Sequence, residues 1–471
     1  MNNELKKRLE SLYAAAHAAY EDKINQQQVL KILINSLYGA FGSTANYFFN
    51  VAVAEAITTQ GKYTITTTEK FVNNLFKTKW KDMTALHDKM GTTHNGKDIK
   101  EDVSVYIDTD SLYSQWNEIL YTTSWMSHDV WFFKAGKKKM SHYLSTEKYP
   151  DEASVLARYP DAEEISKEKP SGKSFVICLN KEFMEDLFSK FFKDMADSFN
   201  AEHVLDFELE AYASKGLWLG KKNYVEVVQW KEPDVHLQEG KLVAKGVELV
   251  KSGVSAYCKD CIKSIVDMIF DTHEKGYTRE DIMSNISKMK GLFAIVSPET
   301  FAPTRKINKL QHYAISDVGQ IKVRPHATPE LKGAVLYNYL IKSLGLQDKY
   351  ELIKSGSKAH SVRIKSQIPI YTVKNFNEAA NNRKFKIPAT GLKTINGTLF
   401  TDNVEEGSSV ELATTLSFPD TIPPEFDELL KVDYEASFSK YILSPIDRLL
   451  TAAYQTTFTD DSDMVMDLFM S

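Results

Sequence analysis

A short apolar run that stops at two carboxylates constrains this chain more than anything else in it. Val105-Tyr106-Ile107-Asp108-Thr109-Asp110-Ser111 sets β-branched and aromatic residues ahead of a pair of acids, with acidic, Gly-containing sequence upstream. Such a run predicts a strand ending in a tight turn. Side chains two apart on a strand point the same way, so Asp108 and Asp110 are expected to face one point. Hard carboxylate oxygens gathered at one point suit Mg2+. The chemistry that follows from such a site is phosphoryl transfer.

Well upstream lies Lys31-Ile32-Leu33-Ile34-Asn35-Ser36-Leu37-Tyr38-Gly39. Lys31, Asn35, Tyr38 and Gly39 fall at i, i+4, i+7 and i+8, which is one face of a helix. A lysine there can meet a triphosphate as a point charge, and Tyr38 with Gly39 leaves a flat surface for a base pair. The two runs resemble the KxxxNSxYG and YxDTDS motifs of family B DNA polymerases, most closely those of T-even-type bacteriophages.

That resemblance implies an α+β fold, a right-hand polymerase palm of antiparallel sheet with helices, plus partial fingers and a mainly helical thumb. It divides the chain into a C-terminal fingers arm at 1–43, palm at 44–252, thumb at 253–450 and a tail at 451–471. It implies two Mg2+ ions, with Asp110 the principal ligand, Asp108 a secondary one and Glu210 a further carboxylate near the metals. Lys31 would neutralise the incoming deoxynucleoside triphosphate (dNTP). Tyr38 and Gly39 would lie against the nascent base pair, while Asn35 orders the helix more than it touches substrate.

One part of the family pattern is missing. A third carboxylate is expected on a strand before the KxxxNSxYG helix, in a D-x-x-S-L-Y-P-S motif, yet only 30 residues precede Lys31 and none fits. Asp108-Thr109-Asp110-Ser111-Leu112-Tyr113-Ser114 satisfies D-x-x-S-L-Y but lacks the proline and follows the helix. No exonuclease-like region is found either. The expectation is the C-terminal subunit of a split DNA polymerase, active only with an N-terminal chain that carries the missing motif and the exonuclease. The rivals are a catalytically silent DNA-binding or clamp-tethering remnant, and a truncated single-chain polymerase.

Further segments fit the same resemblance. Gly220-Lys221-Lys222-Asn223-Tyr224 is similar to the family's K-K-x-Y segment, whose second lysine reaches the minor groove of the primer-template duplex, where correct pairs share acceptors. Lys245-Gly246-Val247-Glu248-Leu249-Val250-Lys251-Ser252 is similar to K-G-x-E-x-x-K-S, with Lys245 and Lys251 expected on duplex phosphates. Arg305, Lys306 and Lys309 either extend that track or form a solvated basic face. Met464-Val465-Met466-Asp467-Leu468-Phe469-Met470 resembles a short tail that grips a sliding clamp, with Met464, Leu468 and Phe469 as apolar anchors on an acidic segment.

Composition bounds the rest. With 471 residues, 43% of them hydrophobic, the chain can bury several cores. A net charge of -5 means that any nucleic-acid surface is a local concentration of lysine and arginine. Three cysteines are too few for a disulfide framework, and Cys258-x-x-Cys261 sits in helical spacing, which reads as packing. The N-terminus has no apolar core of a signal peptide, and no apolar run approaches the roughly 18 residues of a membrane span. A cytoplasmic location is expected, in the host if the source is viral, with no membrane partner. Strands are expected at Phe207–Tyr212 and Tyr224–Trp230, a long helix across 44–80, and mostly helix after 252 with helix signals again at Asp433–Tyr454.

Overall fold

The computed structural model describes residues 3–124, 129–135, 141–232, 235–317, 320–373, 392–395, 398–401 and 409–454. They form two compact units, 1–212 with 232–236, and 213–231 with 237–471. The fold is mixed, with helices and small sheets.

In the first unit, a sequence rich in Ala, Leu, Lys, Glu and Gln makes one continuous 40-residue helix, α1, Asn3–Gly42. The chain then turns: the Asn50 N–H donates to the Phe41 carbonyl at 2.9 Å, and the Asn50 side chain caps α2, Val51–Asn74, by accepting from the Val53 N–H. The helix extends through a π turn, Leu75–Lys79, and a 3-10 turn, Trp80–Asp82. The composition of 4–38 predicts two helices or one bent helix, and one continuous helix forms; the long helix expected across 44–80 begins at Val51.

The apolar run at 105–107 forms strand β1, Ser104–Asp108, antiparallel to β2, Ser111–Ser114, with Asp108 opposite Ser111. Asn73 of α2 ties down the root of β1: its amide donates to the Ser104 hydroxyl at 2.6 Å, and its oxygen accepts from the Ser104 N–H at 3.0 Å. The helix therefore backs the hairpin. Three more strands, β3 Val130–Ala135, β4 Ser141–Ser145 and β5 Ala162–Glu168, form a sheet with β3 central. Trp131, Phe133 and Leu144 are buried with Val155 of the helix Glu152–Arg158. Helices α3, Gly172–Leu179, and α4, Glu185–Ser198, flank a second π turn, Asn180–Met184.

The second unit opens with the sheet β6, Ala211–Gly220, β7, Asn223–Lys231, and β8, Val235–Lys245, with β7 central. Only Ala211 and Tyr212 of the expected strand at Phe207–Tyr212 are strand, because Phe207 is taken up in ring contacts with Phe188 and Phe192. A large core lies beyond. The helices α5, Ala256–Phe270, α6, Arg279–Phe293, α7, Pro329–Ser343, and α8, Ser444–Tyr454, bury Ile262, Ile265, Ile286, Phe293, Leu336 and Leu449 in it.

Residues 253–450 are less helical than their sequence suggests. A sheet of β9, Thr304–Lys306, β10, Lys358–Ser366, and β11, Thr415–Phe418, with β12, Leu430–Val432, pairing the far end of β10, lies among the helices. A six-stranded sheet runs through 314–317, 320–323, 369–372, 409–412, 398–401 and 392–395 in that order. Most of these strands are only three or four residues long, and several, such as 304–306 with 358–360 and 321–323 with 370–372, pair across long stretches of chain, so single-segment periodicity missed them.

No helix among the described residues is long and apolar enough to cross a membrane. Cys178 and Cys258 are buried free thiols, and Cys261 is half-buried. Cys258 and Cys261 lie on α5 and pack as helix residues.

Candidate active site

The two carboxylates are held by a turn rather than by a strand. Asp108 ends β1 and Asp110 stands in the two-residue loop before β2, so they do not share one strand face as their spacing suggested. The Asp110 N–H donates to the Asp108 carbonyl at 2.7 Å, closing a three-residue γ-turn around Thr109 at φ 61°. A positive φ at a β-branched residue is a genuine outlier, and this hand of γ-turn is the strained one. The Thr109 hydroxyl donates to Asp108 Oδ1 at 3.2 Å, and the Ser111 hydroxyl to Asp110 Oδ1 at 3.4 Å. Each acid thus has a neighbouring hydroxyl that fixes one of its oxygens, and Asp110 lies exposed at the tip. Below the tip, the Tyr106 and Tyr113 rings meet at 5.4 Å and stiffen the hairpin.

Hard oxygens on a rigid turn suit a divalent cation. Among the described residues, no set of three or more His, Cys, Asp or Glu side chains stands close enough to hold one, so Glu210 is not gathered with the pair. Glu210 lies exposed outside any strand, and its carbonyl accepts from the Glu232 N–H at 2.9 Å. Its neighbour Glu208 is hydrogen-bonded to Glu232, whose carboxyl is pushed up by burial and by that like-charged partner.

Lys31, Asn35, Tyr38 and Gly39 all lie on α1, and every residue from 25 to 39 is exposed. Val29, Leu30, Ile32, Leu33 and Ile34 are 57–67% exposed, and Tyr47, in the turn to α2, is 96% exposed. This surface stands uncovered, with apolar residues along the same turns as Lys31.

The second unit brings its sequence-singled segments together. Lys221 and Lys222 form the two-residue loop between β6 and β7, with Lys222 at φ 58° and the Asn223 amide donating to the Lys221 carbonyl at 2.8 Å. Tyr224 is buried, and Lys245 Nζ stands 5.7 Å from the centre of its ring. Glu248 accepts from Lys251 at 2.9 Å and from Arg448 of α8 at 2.6 Å. Burial pushes the Glu248 carboxyl up, but the Lys251 and Arg448 hydrogen bonds outweigh it and hold it below the usual carboxylate range. Arg448 was missed in the sequence, since it lies 200 positions beyond Glu248. Farther along, Arg305 packs against Gly253, whose carbonyl accepts the Thr304 N–H at 2.9 Å. The anchors Met464, Leu468 and Phe469 lie outside the described residues.

Comparison with known proteins bears on the first of these sites. Residues 2–127 match the model of DNA polymerase family B. The chain is 28% identical over 249 residues to the DNA-directed DNA polymerase of Escherichia phage RB69, a match that takes in 50% of this chain and 22% of that protein. The chain thus spans about a fifth of the length of the curated relative it matches. The stretch that carries the lysine helix and the carboxylate hairpin is thus the part of the chain that is similar to family B DNA polymerases.

Proposed function

We propose that the chain is the C-terminal subunit of a split DNA-directed DNA polymerase, which adds deoxynucleotides to a primer 3′ end when joined to an N-terminal chain. The observation that carries this reading is the strained turn at Thr109, which presents Asp108 and Asp110 inside the 2–127 match. In this reading 1–43 is the C-terminal arm of the fingers, 44–252 palm and 253–450 thumb. Asp110 and Asp108 would hold Mg2+ as two of three carboxylate donors, the third coming from the partner chain. Two ions so placed would activate the primer hydroxyl and neutralise the leaving pyrophosphate.

Around them, Lys31 neutralises the dNTP triphosphate, with Tyr38 and Gly39 against the new base pair and Asn35 ordering their helix. Lys222 faces the primer-template minor groove with Lys221 beside it, Tyr224 packs beside the primer terminus, and Lys245 and Lys251 meet duplex phosphates. The pairing of Glu248 with both Lys251 and Arg448 supports this, because it fixes where Lys251 points. The last residues, with Met464, Leu468 and Phe469, would bind a sliding clamp, and deleting 464–471 is expected to remove clamp-dependent long synthesis while sparing short-gap filling.

The test is Asp110→Ala in the assembled enzyme. Nucleotide addition should be abolished with duplex binding nearly intact, because a metal ligand is lost and no phosphate contact. Primer extension within tenfold of wild type sinks the reading. Lys31→Ala should raise the apparent KM for dNTP and lower kcat, and it is a surface lysine if neither moves.

A further inference from the structure

Two lysine-bearing segments that lie apart in the sequence meet at one glycine. Gly246 follows the last residue of β8 and adopts φ +72°, where only glycine is unstrained. A β-carbon at 246 would run into the Lys222 carbonyl oxygen and would fall 2.5 Å from Asn223 Oδ1. Both neighbours are awkward to move. The first is backbone in the two-residue loop, and the second belongs to a side chain already holding the Lys221 carbonyl at 2.8 Å. Immediately before Gly246, Lys245 lies over the buried Tyr224 ring. One step along β7 and one along β8 are thus locked together, with backbone against backbone at Gly246 and cation against ring beside it.

We infer that Gly246 is a positioning residue for the Lys221-Lys222 loop, its missing side chain being what lets the end of β8 support that loop from behind. Lys222 holds φ 58°, a conformation that a non-glycine residue keeps only when its surroundings impose it. The two-residue hairpin loop calls for it, and the close approach at Gly246 backs the loop in that shape. A side chain at 246 displaces the loop backbone and, with it, the lysine presented to a duplex, while the sheet beneath stays intact. This rests on the proposed duplex-binding role of Lys222 and says how that role is built.

The experiment measures binding of the 471-residue chain to a fluorescent primer-template duplex at fixed salt, for Lys222→Ala, Gly246→Ala and the double variant, with melting temperatures recorded alongside. Lys222→Ala should weaken binding about tenfold. Gly246→Ala should cost a similar factor, and the double variant no more than either alone, because displacing the loop already forfeits the lysine. Gly246→Ala binding like wild type, or losses that multiply in the double variant, overturns the inference. Wild-type binding by Lys222→Ala fails differently: the lysine is then no duplex contact, and the underlying reading falls first. Should Gly246→Ala not fold, Asn223→Ala decides. It spares the glycine but removes the pinned side chain, and it should lose severalfold in binding without adding to Lys222→Ala. No loss, or a loss that multiplies, counts against the support.

Discussion

Glu182 sits on the π turn Asn180–Met184, with one carboxylate oxygen accepting the Ser145 N–H at 2.6 Å and the other buried without a hydrogen-bond partner. Burial pushes its carboxyl from the ordinary 4.5 up to about 6, against the Ser145 hydrogen bond and the Lys148 charge, which pull it down. A folded pKa above the unfolded one means that the folded state holds the proton more tightly. The stability this contributes is fully present below pH 4.5 and is lost as pH rises through 6. Glu182→Gln keeps an oxygen for Ser145 and carries no charge. Its unfolding free energy at pH 8 should exceed wild type by about 2 kcal/mol, and the advantage should vanish below pH 4.5. A difference that does not change with pH would place the effect in packing. The acids at the hairpin tip raise a different question at the same scale. Thr109→Gly removes the positive-φ strain and should raise the melting temperature slightly. It also removes the hydroxyl on Asp108 Oδ1, so primer extension by the assembled enzyme should fall.

At the scale of elements, the helices and the hairpin were legible because their signals are local. The helical character of 3–42, the long α2 and the strand Ser104–Asp108 each follow from composition or alternation within a few turns of chain, although the continuity of α1 does not. What stayed hidden depends on distant partners. Lys358–Ser366 becomes a central strand because 304–306 and 415–418 pair with it, and Arg448 reaches Glu248 only because α8 returns beside the start of α5. The turn at Thr109 was half legible: the acids were seen, but their spacing implied a shared strand face, and the γ-turn placed them otherwise. Gly246 carried no sequence signal beyond its motif, since its constraint is a backbone oxygen more than twenty residues away. α1 yields a prediction of its own. A helix whose residues 25–39 are all exposed has little tertiary packing to hold it, and most helical stability in proteins comes from such packing. Backbone amides 25–39 should exchange hydrogen much faster than those of the buried α3 in the isolated chain, and should slow markedly once an N-terminal chain is bound. Equal protection in both states would mean that α1 stands by itself.

For the whole molecule, the prediction with most at stake follows from the proposed split reading: this chain is expected not to polymerise alone. The first unit presents two carboxylates on one turn, and no third acidic or histidine side chain joins them among the described residues. In the proposed reading the two ions take a third carboxylate from the partner chain. The same unit leaves an apolar surface uncovered from Val29 through Leu37 and again at Tyr47, Phe48 and Phe49, of the kind that marks a protein contact. No lysine or arginine lies between residues 40 and 61, so a nucleic-acid strand is a poor cover for that turn and a polypeptide a good one. Donor and cover are expected from one source, a chain carrying D-x-x-S-L-Y-P-S, joined through an interface well above the standard size of about 1,600 Å². Primer extension is measured with the purified chain, then with the second chain added. No extension should be seen at first, followed by robust synthesis on mixing and by a heterodimer of matching mass. Extension by the chain alone would reject the split reading, and it would send the search for a third carboxylate back to this sequence, beginning with Glu210.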